Sequence, residues 1–280
     1  MSKGGCALPA SPIHVALYIT DLLDNGRSNS VVSSALYGIK WAHKMCDLQD
    51  PTNNAFVTNL IEAAKRISVK RVNKKQPVTS EMLKILCATY SSSTDLLVIR
   101  DLCMILLSFC GFLRYNELSA LRCNDLTIFD DYFVLRINRS KTDQYRLGSE
   151  IPISKGNSIA CPLLMLKRYL DLSKQDCSSS KFLFRPIFKA GGTCSLIHKD
   201  KTLSYTRARE CILTKLKEVA GDLDLSLHSM RAGGATEAAN AGVNDRCLKR
   251  HGRWKSDRSK DGYVADSLER RLMISKNLNL

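Results

Sequence analysis

Apolar positions recur along most of this chain with the period of a helix. Ile13 to Leu23 reads as a first helix, closed by Asn25-Gly26. Ser30 to Met45 reads as a second, with Val31, Ala35, Leu36, Ile39 and Ala42 on one face. A third is expected from about Asn54 to about Val72, its apolar face formed by Phe56, Leu60, Ile61, Ala64 and Ile67. Pro77 then marks a boundary, and Thr79 or Ser80 is placed to cap a helix that continues through Leu83 to Tyr90. Asp95 to Phe112 is apolar almost throughout and too long for one strand, so it predicts a buried helix. Tyr115 to Arg122 makes another short helix.

The pattern changes between Thr127 and Ile153. Phe129, Tyr132, Phe133, Val134, Leu135 and Ile137 favour strands, and Asp130-Asp131 is a turn. A second polar turn near Asp143 to Gly148 leads into Glu150-Ile-Pro-Ile-Ser, which predicts a small three-stranded antiparallel sheet. Cys161 to Leu172 returns to helix, Phe182 to Phe184 is a short extended piece, and 189–202 reads as a loop. Tyr205 to Gly221 is a long amphipathic helix, and a last helix begins near Ser267. The fold class this predicts is α+β: mainly α with a small antiparallel β-sheet. A helical domain over 1–75 is followed by a larger one over 76–280.

Charge adds a partner to this picture. The 42 basic and 27 acidic residues leave a net charge of +15, which favours polyanions: nucleic acid first, an anionic membrane second. The positive residues are uneven. Lys65, Arg66, Lys70, Arg71, Lys74 and Lys75 follow one another with no acidic residue between 63 and 80. That run reads as a phosphate-gripping connector between the two domains, and as a DNA-binding element. The longest apolar run, Leu102 to Leu113, is too short to span a membrane, so no membrane partner is expected. Eleven cysteines, an odd number without a CxxC pair, predict reduced thiols in an intracellular chain, cytosolic or, in a eukaryote, nuclear. Cys194 and His198 have no second pair beside them, so no metal site is expected.

The chemistry gathers late in the chain. His228 and Arg231 stand three apart, so on a helix they share a face. An imidazole can move a proton near neutral pH, and a guanidinium can hold two phosphate oxygens. Trp254 and Tyr263 stand nine apart beyond a segment dense in Lys and Arg. Earlier, Arg114 follows directly on the buried helix, where a charge is costly unless it is paired or faces a ligand. Glu117, three residues on, can support it. Lys141 lies at a strand end beside a turn.

Arg114 with Glu117, Lys141 on a hairpin, His228-x-x-Arg231, Trp254 and then Tyr263 nine residues on resemble, in order and spacing, the catalytic domain of the tyrosine recombinases, the phage-integrase type. The region before Pro77 is similar to the core-binding domain of that family, with three clear helices where four or five are usual. Trp254 stands where many members have His. An indole N–H can still donate to a phosphate oxygen, but it cannot shuttle a proton.

The resemblance implies strand exchange on double-stranded DNA by a homo-tetramer, with no metal, ATP or other cofactor. Tyr263 would attack a backbone phosphate to leave a 3′-phosphotyrosyl link and a free 5′-hydroxyl. Arg114 and Arg231 would carry the charge of the phosphorane, His228 would serve as base, Lys141 would protonate the leaving oxygen, and Trp254 would brace a non-bridging oxygen. Two readings stay open beside this one: a domesticated or decayed relative that only binds DNA, and a type IB topoisomerase-like nicking-closing enzyme. The last helix would dock on a neighbouring copy.

Overall fold

The computed structural model describes residues 8–67, 75–140, 143, 145 and 147–278. The chain divides into two compact units, Met1–Asn73 and Lys74–Leu280.

The first unit contains three helices among its described residues: α1 (Pro12–Asp24), α2 (Asn29–Met45) and α3 (Ala55–Ile67). Ser11 caps α1 by accepting from the His14 amide at 3.2 Å, with Pro12 at the first helical position. Val15, Ile19, Val32 and Val57 form the core of this unit. Leu36 and Ile39 of α2 and Leu60 and Ile61 of α3 pack against this core as expected, and Ala64 is buried, but each helix differs from the expectation at one position. Val31 and Phe56 are exposed, and their neighbours Val32 and Val57 are buried in their place. Adjacent apolar residues satisfy the same periodicity, and a step of one residue turns the face by about 100°. Packing of α2 and α3 against α1 selects between them. The imidazole of His43 is buried, accepts from the Ala10 amide at Nε2 and donates from Nδ1 to Ile39 O at 2.7 Å.

The second unit is organised around α5. Its first helix is α4 (Ser80–Thr89), capped by Thr79. α5 (Leu96–Cys110) follows, with the Asp95 carboxylate capping it through Leu97 N at 2.8 Å. Every residue from Ile99 to Ser108 is buried, because neighbouring elements pack on α5 from several sides. Then come α6 (Tyr115–Ala120) and the three-stranded antiparallel sheet β1 (Leu126–Ile128), β2 (Tyr132–Ile137) and β3 (Ser149–Ser154). Phe133 pairs with Ile153 and Leu135 with Ile151. Side chains alternate across a strand, so these four turn into the core together.

After α7 (Pro162–Ser173) the expected loop over 189–202 is in part a hairpin. β4 (Ile187–Ala190) pairs with β5 (Thr193–Leu196) across Gly191 and Gly192. Both glycines have positive φ, +55° and +81°, as such a tight two-residue turn demands. The expected extended piece at Phe182 makes only an isolated bridge to Arg122. The remaining helices are α8 (Tyr205–Ala220), α9 (His228–Asn240), α10 (Asp245–His251), α11 (Asp257–Asp261) and α12 (Leu268–Lys276).

Helix α9 lies unusually close to its neighbours. Gly233 and Gly234 face the carbonyl oxygens of Val78 and Phe109, and a Cβ at either position would overlap them. The absent side chains let α9 settle onto the end of α5, which sinks Arg231 into the protein. No helix of the described residues is long and apolar enough to cross a membrane.

Candidate active site

The site begins where α5 ends. Phe112 takes a left-handed conformation, φ +47°, which turns the chain sharply after Gly111. Arg114 then opens α6. Its backbone N–H donates to Glu117 Oε2 at 2.9 Å and its Nη1 donates to Oε1 at 2.8 Å. One carboxylate thus caps the helix start and anchors the guanidinium. The Arg114 side chain keeps 15% exposure, whereas that of Glu117 keeps 1%. Among the described residues, Nε and Nη2 of Arg114 find no acceptor, so that edge remains available.

Arg231 enters from α9 and is fully buried. Its Nη1 donates to Phe112 O, and its Nη2 donates to Gly252 O at 2.6 Å. Its Cζ sits 4.6 Å from the centre of the Trp254 ring and 4.9 Å from that of Tyr263. Burial, with Arg114 and Arg253 close by, pushes the Arg231 guanidinium below the ordinary arginine value. A guanidinium keeps its charge at neutral pH under such pressure.

Tyr263 follows α11 and Gly262, and its ring is half-buried. Its backbone N–H donates to Lys260 O at 2.8 Å, and its carbonyl accepts from Thr236 Oγ1 at 3.3 Å. Its ring lies 5.7 Å from Trp254 and 6.3 Å from His228. His228 is the first residue of α9 and is exposed, with its amide donating to Ser226 Oγ at 3.2 Å. His228 and Arg231, one turn apart, therefore bracket Tyr263 from the same helix. Trp254 is 5% exposed, and its Nε1 is buried without an acceptor among the described residues.

Arg114, His228, Trp254 and Tyr263 line one cleft of about 1300 Å³, with Arg139 and Arg258 at its walls. Lys141 lies outside the described residues, as do Lys70, Arg71 and Lys74. Arg139, Ser140 and Asp143, the described residues nearest to Lys141 in sequence, also line the cleft. Lys65 and Arg66 are exposed at the end of α3, and Lys65 pairs with Glu62 at 2.6 Å. Lys75 shares its charge with Asp224, 2.5 Å away. No three His, Cys, Asp or Glu side chains come together as a metal site among the described residues.

One residue of the site is absent from the sequence reading. Arg253 is 6% exposed in its side chain and donates to Gly111 O, His251 O, Phe112 O and Glu117 Oε2, the last at 2.7 Å. Its backbone is left-handed at φ +56°, a conformation costing roughly 1–2 kcal/mol for a residue with a side chain. In sequence it is one of many basic residues in a basic run. Only its place between Gly252 and a buried Trp254 sets it apart.

Glu117 is consequently surrounded by positive charge. Burial alone pushes its carboxyl up, but Arg253, the Arg114 amide, and the Arg114 and Arg231 guanidiniums together hold it below its ordinary value of 4.5. A depressed carboxyl contributes stability above its unfolded value and loses that contribution as pH falls through its folded value. Glu117→Gln should therefore melt below the wild type at neutral pH, and the gap should close below about pH 4.5. Melting temperatures of both proteins between about pH 3 and 7 check this. A gap that stays constant in acid would show that Glu117 acts through shape and not charge.

Comparison with known proteins follows the same outline. The model of the phage integrase family matches residues 76–270. An integrase/recombinase XerD homolog of Selenomonas ruminantium is 28% identical over 264 residues, which cover 92% of this chain and 74% of that protein. Among solved structures, XerH recombinase bound to a palindromic difH substrate in a post-cleavage complex superposes with a TM-score of 0.62 at 15% identity. That match covers 97% of this chain and 71% of XerH. The Tn1549 transposon integrase in complex with transposon right end DNA gives 0.60 at 16% identity, covering 99% and 88%. XerA recombinase gives 0.53 at 16%, covering 98% and 85%. At these identities the structural likeness speaks for the fold.

Proposed function

The chain belongs to the phage integrase family, the tyrosine recombinases, and on that premise we propose that it is a site-specific DNA recombinase that cuts and rejoins strands through a 3′-phosphotyrosyl intermediate. The observation that carries this reading is the Tyr263 ring held between Arg231, His228 and Trp254 in the cleft that also receives Arg114.

The Tyr263 hydroxyl attacks the phosphorus of a DNA backbone phosphate. A new O–P bond forms and the bond to the 5′-oxygen breaks. A phenol with pKa near 10 is only about one part in a thousand ionised at pH 7, so its proton needs an acceptor. His228 takes that proton. Lys141 gives one to the departing 5′-oxygen, which would otherwise leave as an alkoxide. The phosphorane gathers negative charge, which Arg114 meets in the cleft and Arg231 offsets from beneath the Tyr263 ring, its Nη groups held by Phe112 O and Gly252 O. Trp254 contributes its indole N–H, a buried donor that has no acceptor among the described residues. Attack by a 5′-hydroxyl reverses every step and needs no external energy, since the phosphotyrosyl bond retains the energy of the one it replaced.

The partner in this reading is double-stranded DNA. The chemistry belongs to residues 76–280, and residues 1–75, with Lys65, Arg66, Lys70, Arg71, Lys74 and Lys75, grip the backbone. Affinity should then fall steeply with salt, each phosphate contact adding about 0.9 to the slope of log K against log salt. Replacing Lys65 and Arg66 together by Ala should flatten that slope by about 2. A slope unchanged by the pair would remove the connector from the interface.

The working assembly in this reading is a tetramer. Leu268, Leu272, Met273 and Ile274 on α12 are all exposed, and α12 buries none of its residues. We assign them to contact with a second copy. Ile274→Asp should leave binding to one half-site intact but prevent tetramer formation on paired sites, measured by light scattering. A normal tetramer from this variant would refute the assignment.

A duplex nicked near the cleavage site tests the reaction itself. Loss of the short 5′-hydroxyl fragment traps the enzyme, so the expected product is a protein–DNA adduct stable to denaturant. No adduct on any candidate site would leave a DNA-binding relative. Relaxation of supercoiled plasmid without exchange between partners would mark a nicking-closing enzyme.

A further inference from the structure

Arg253 does more in this fold than anchor a turn, and the role assigned to it rests on the recombinase reading above. Its guanidinium reaches across from the Trp254 segment to the turn that carries Arg114. It donates to Gly111 O at 3.1 Å, Phe112 O at 2.8 Å and Glu117 Oε2 at 2.7 Å. Phe112 O also accepts from Arg231. A single buried junction therefore joins Arg114, which lines the cleft, and the buried Arg231 to the segment that ends in Tyr263.

Charge at this junction decides how Arg114 is used. Glu117 is 1% exposed in its side chain and has two oxygens to satisfy. Oε1 takes Arg114 Nη1. Oε2 takes the Arg114 amide and Arg253 Nη2. With Arg253 in place, three guanidiniums face one carboxylate, and Arg114 commits only one of its Nη groups to Glu117. Without Arg253, Oε2 would lose its side-chain donor while remaining out of water. A planar guanidinium pairs best with a carboxylate through two parallel bonds. Arg114 would satisfy that geometry by turning its free edge inward, away from the cleft.

We propose that Arg253 is a positioning residue that neutralises Glu117 and thereby keeps the outer edge of Arg114 turned toward the scissile phosphate. It also makes this setting depend on the seating of the segment that holds Trp254 and Tyr263.

The left-handed backbone at residue 253 supplies a suitable variant. Arg253→Gly removes the guanidinium and suits φ +56°, so the turn keeps its path. Adduct formation is measured on the nicked duplex at saturating DNA, together with DNA affinity and melting temperature. Arg253→Gly should lower the adduct rate at least about tenfold with affinity within about twofold of the wild type. The decisive measurement is the sign of a second change. Glu117→Gln should slow the wild type, because the carboxylate anchors Arg114. In the Arg253→Gly background it should speed the reaction several-fold, because it removes the uncompensated charge that captures Arg114. Arg253→Lys, which keeps the charge but not the fork, should fall between wild type and Arg253→Gly.

Glu117→Gln slowing both backgrounds equally would overturn the proposal, since a merely structural Arg253 has no means of reversing the sign. A wild-type adduct rate in Arg253→Gly would overturn it as well. Failure of the wild type itself to form an adduct would strike the recombinase reading instead, so the two failures are separable.

Discussion

Tyr263→Phe is expected to abolish the covalent protein–DNA adduct while leaving DNA affinity and melting temperature close to those of the wild type. The hydroxyl is the only group the substitution removes. The packing of the ring against Trp254, the Arg231 guanidinium and His228 uses its faces and edges, which Phe retains. The backbone of residue 263, held by the Lys260 carbonyl and the Thr236 hydroxyl, is untouched. Loss of the nucleophile removes the step and not merely a fraction of its rate. The measurement is a denaturing gel of protein with a labelled nicked duplex. An adduct formed by the Phe variant would show that another residue attacks. Tyr205 would then be the first to test, because it also lines the cleft.

Arg231 carries the second large effect, because it has two duties. It is the fully buried donor to Phe112 O and Gly252 O, and its charge lies under the Tyr263 ring. Arg231→Ala leaves Gly252 O without that donor in a dry site, at about 1–3 kcal/mol, and opens a void in addition. A fall in melting temperature of several degrees is expected for a protein of this size. The catalytic loss is expected to be larger. Removing one donor to a developing oxyanion costs about 3–4 kcal/mol, or a factor of about 10²–10³ in rate. Arg231→Lys separates the two duties. A lysine keeps the charge but not the planar fork, so it should recover part of the stability while cleavage stays about 10²-fold slow. Single-turnover adduct rates, taken well below each variant's melting temperature, provide the check. Wild-type cleavage by the Lys variant would mean that Arg231 supplies charge alone.

Several elements of the fold are legible in the sequence because their signals are local. The run Leu96 to Cys110 announces a buried helix by the absence of any polar face, and it is one. The strand residues Phe133, Leu135, Ile151 and Ile153 announce alternation, and they pair across β2 and β3. The hairpin β4–β5 is not legible in the same way, although Gly191-Gly192 is a turn signal, because the short polar strands around it have no apolar face to show. The faces of α2 and α3 keep most of the expected residues and change only at Val31 and Phe56, which yield to Val32 and Val57, for a related reason. Periodicity specifies that a face exists, but the partner helix specifies which of two adjacent apolar residues occupies it.

By itself, the sequence determined the mainly helical class with its small sheet, the basic character, and the order of Arg114, His228, Arg231, Trp254 and Tyr263. Those properties follow from composition, periodicity and spacing, all of which can be read along one dimension. The tertiary structure alone decided that His228 and Arg231 bracket Tyr263, that Gly233 and Gly234 allow α9 to sink Arg231 beneath Phe112, and that Arg253 completes Glu117. Arg253 and Glu117 are 136 positions apart. No spacing rule links such residues. Their pairing arises because a charge inside a protein must meet its counter-charge wherever the chain happens to bring one.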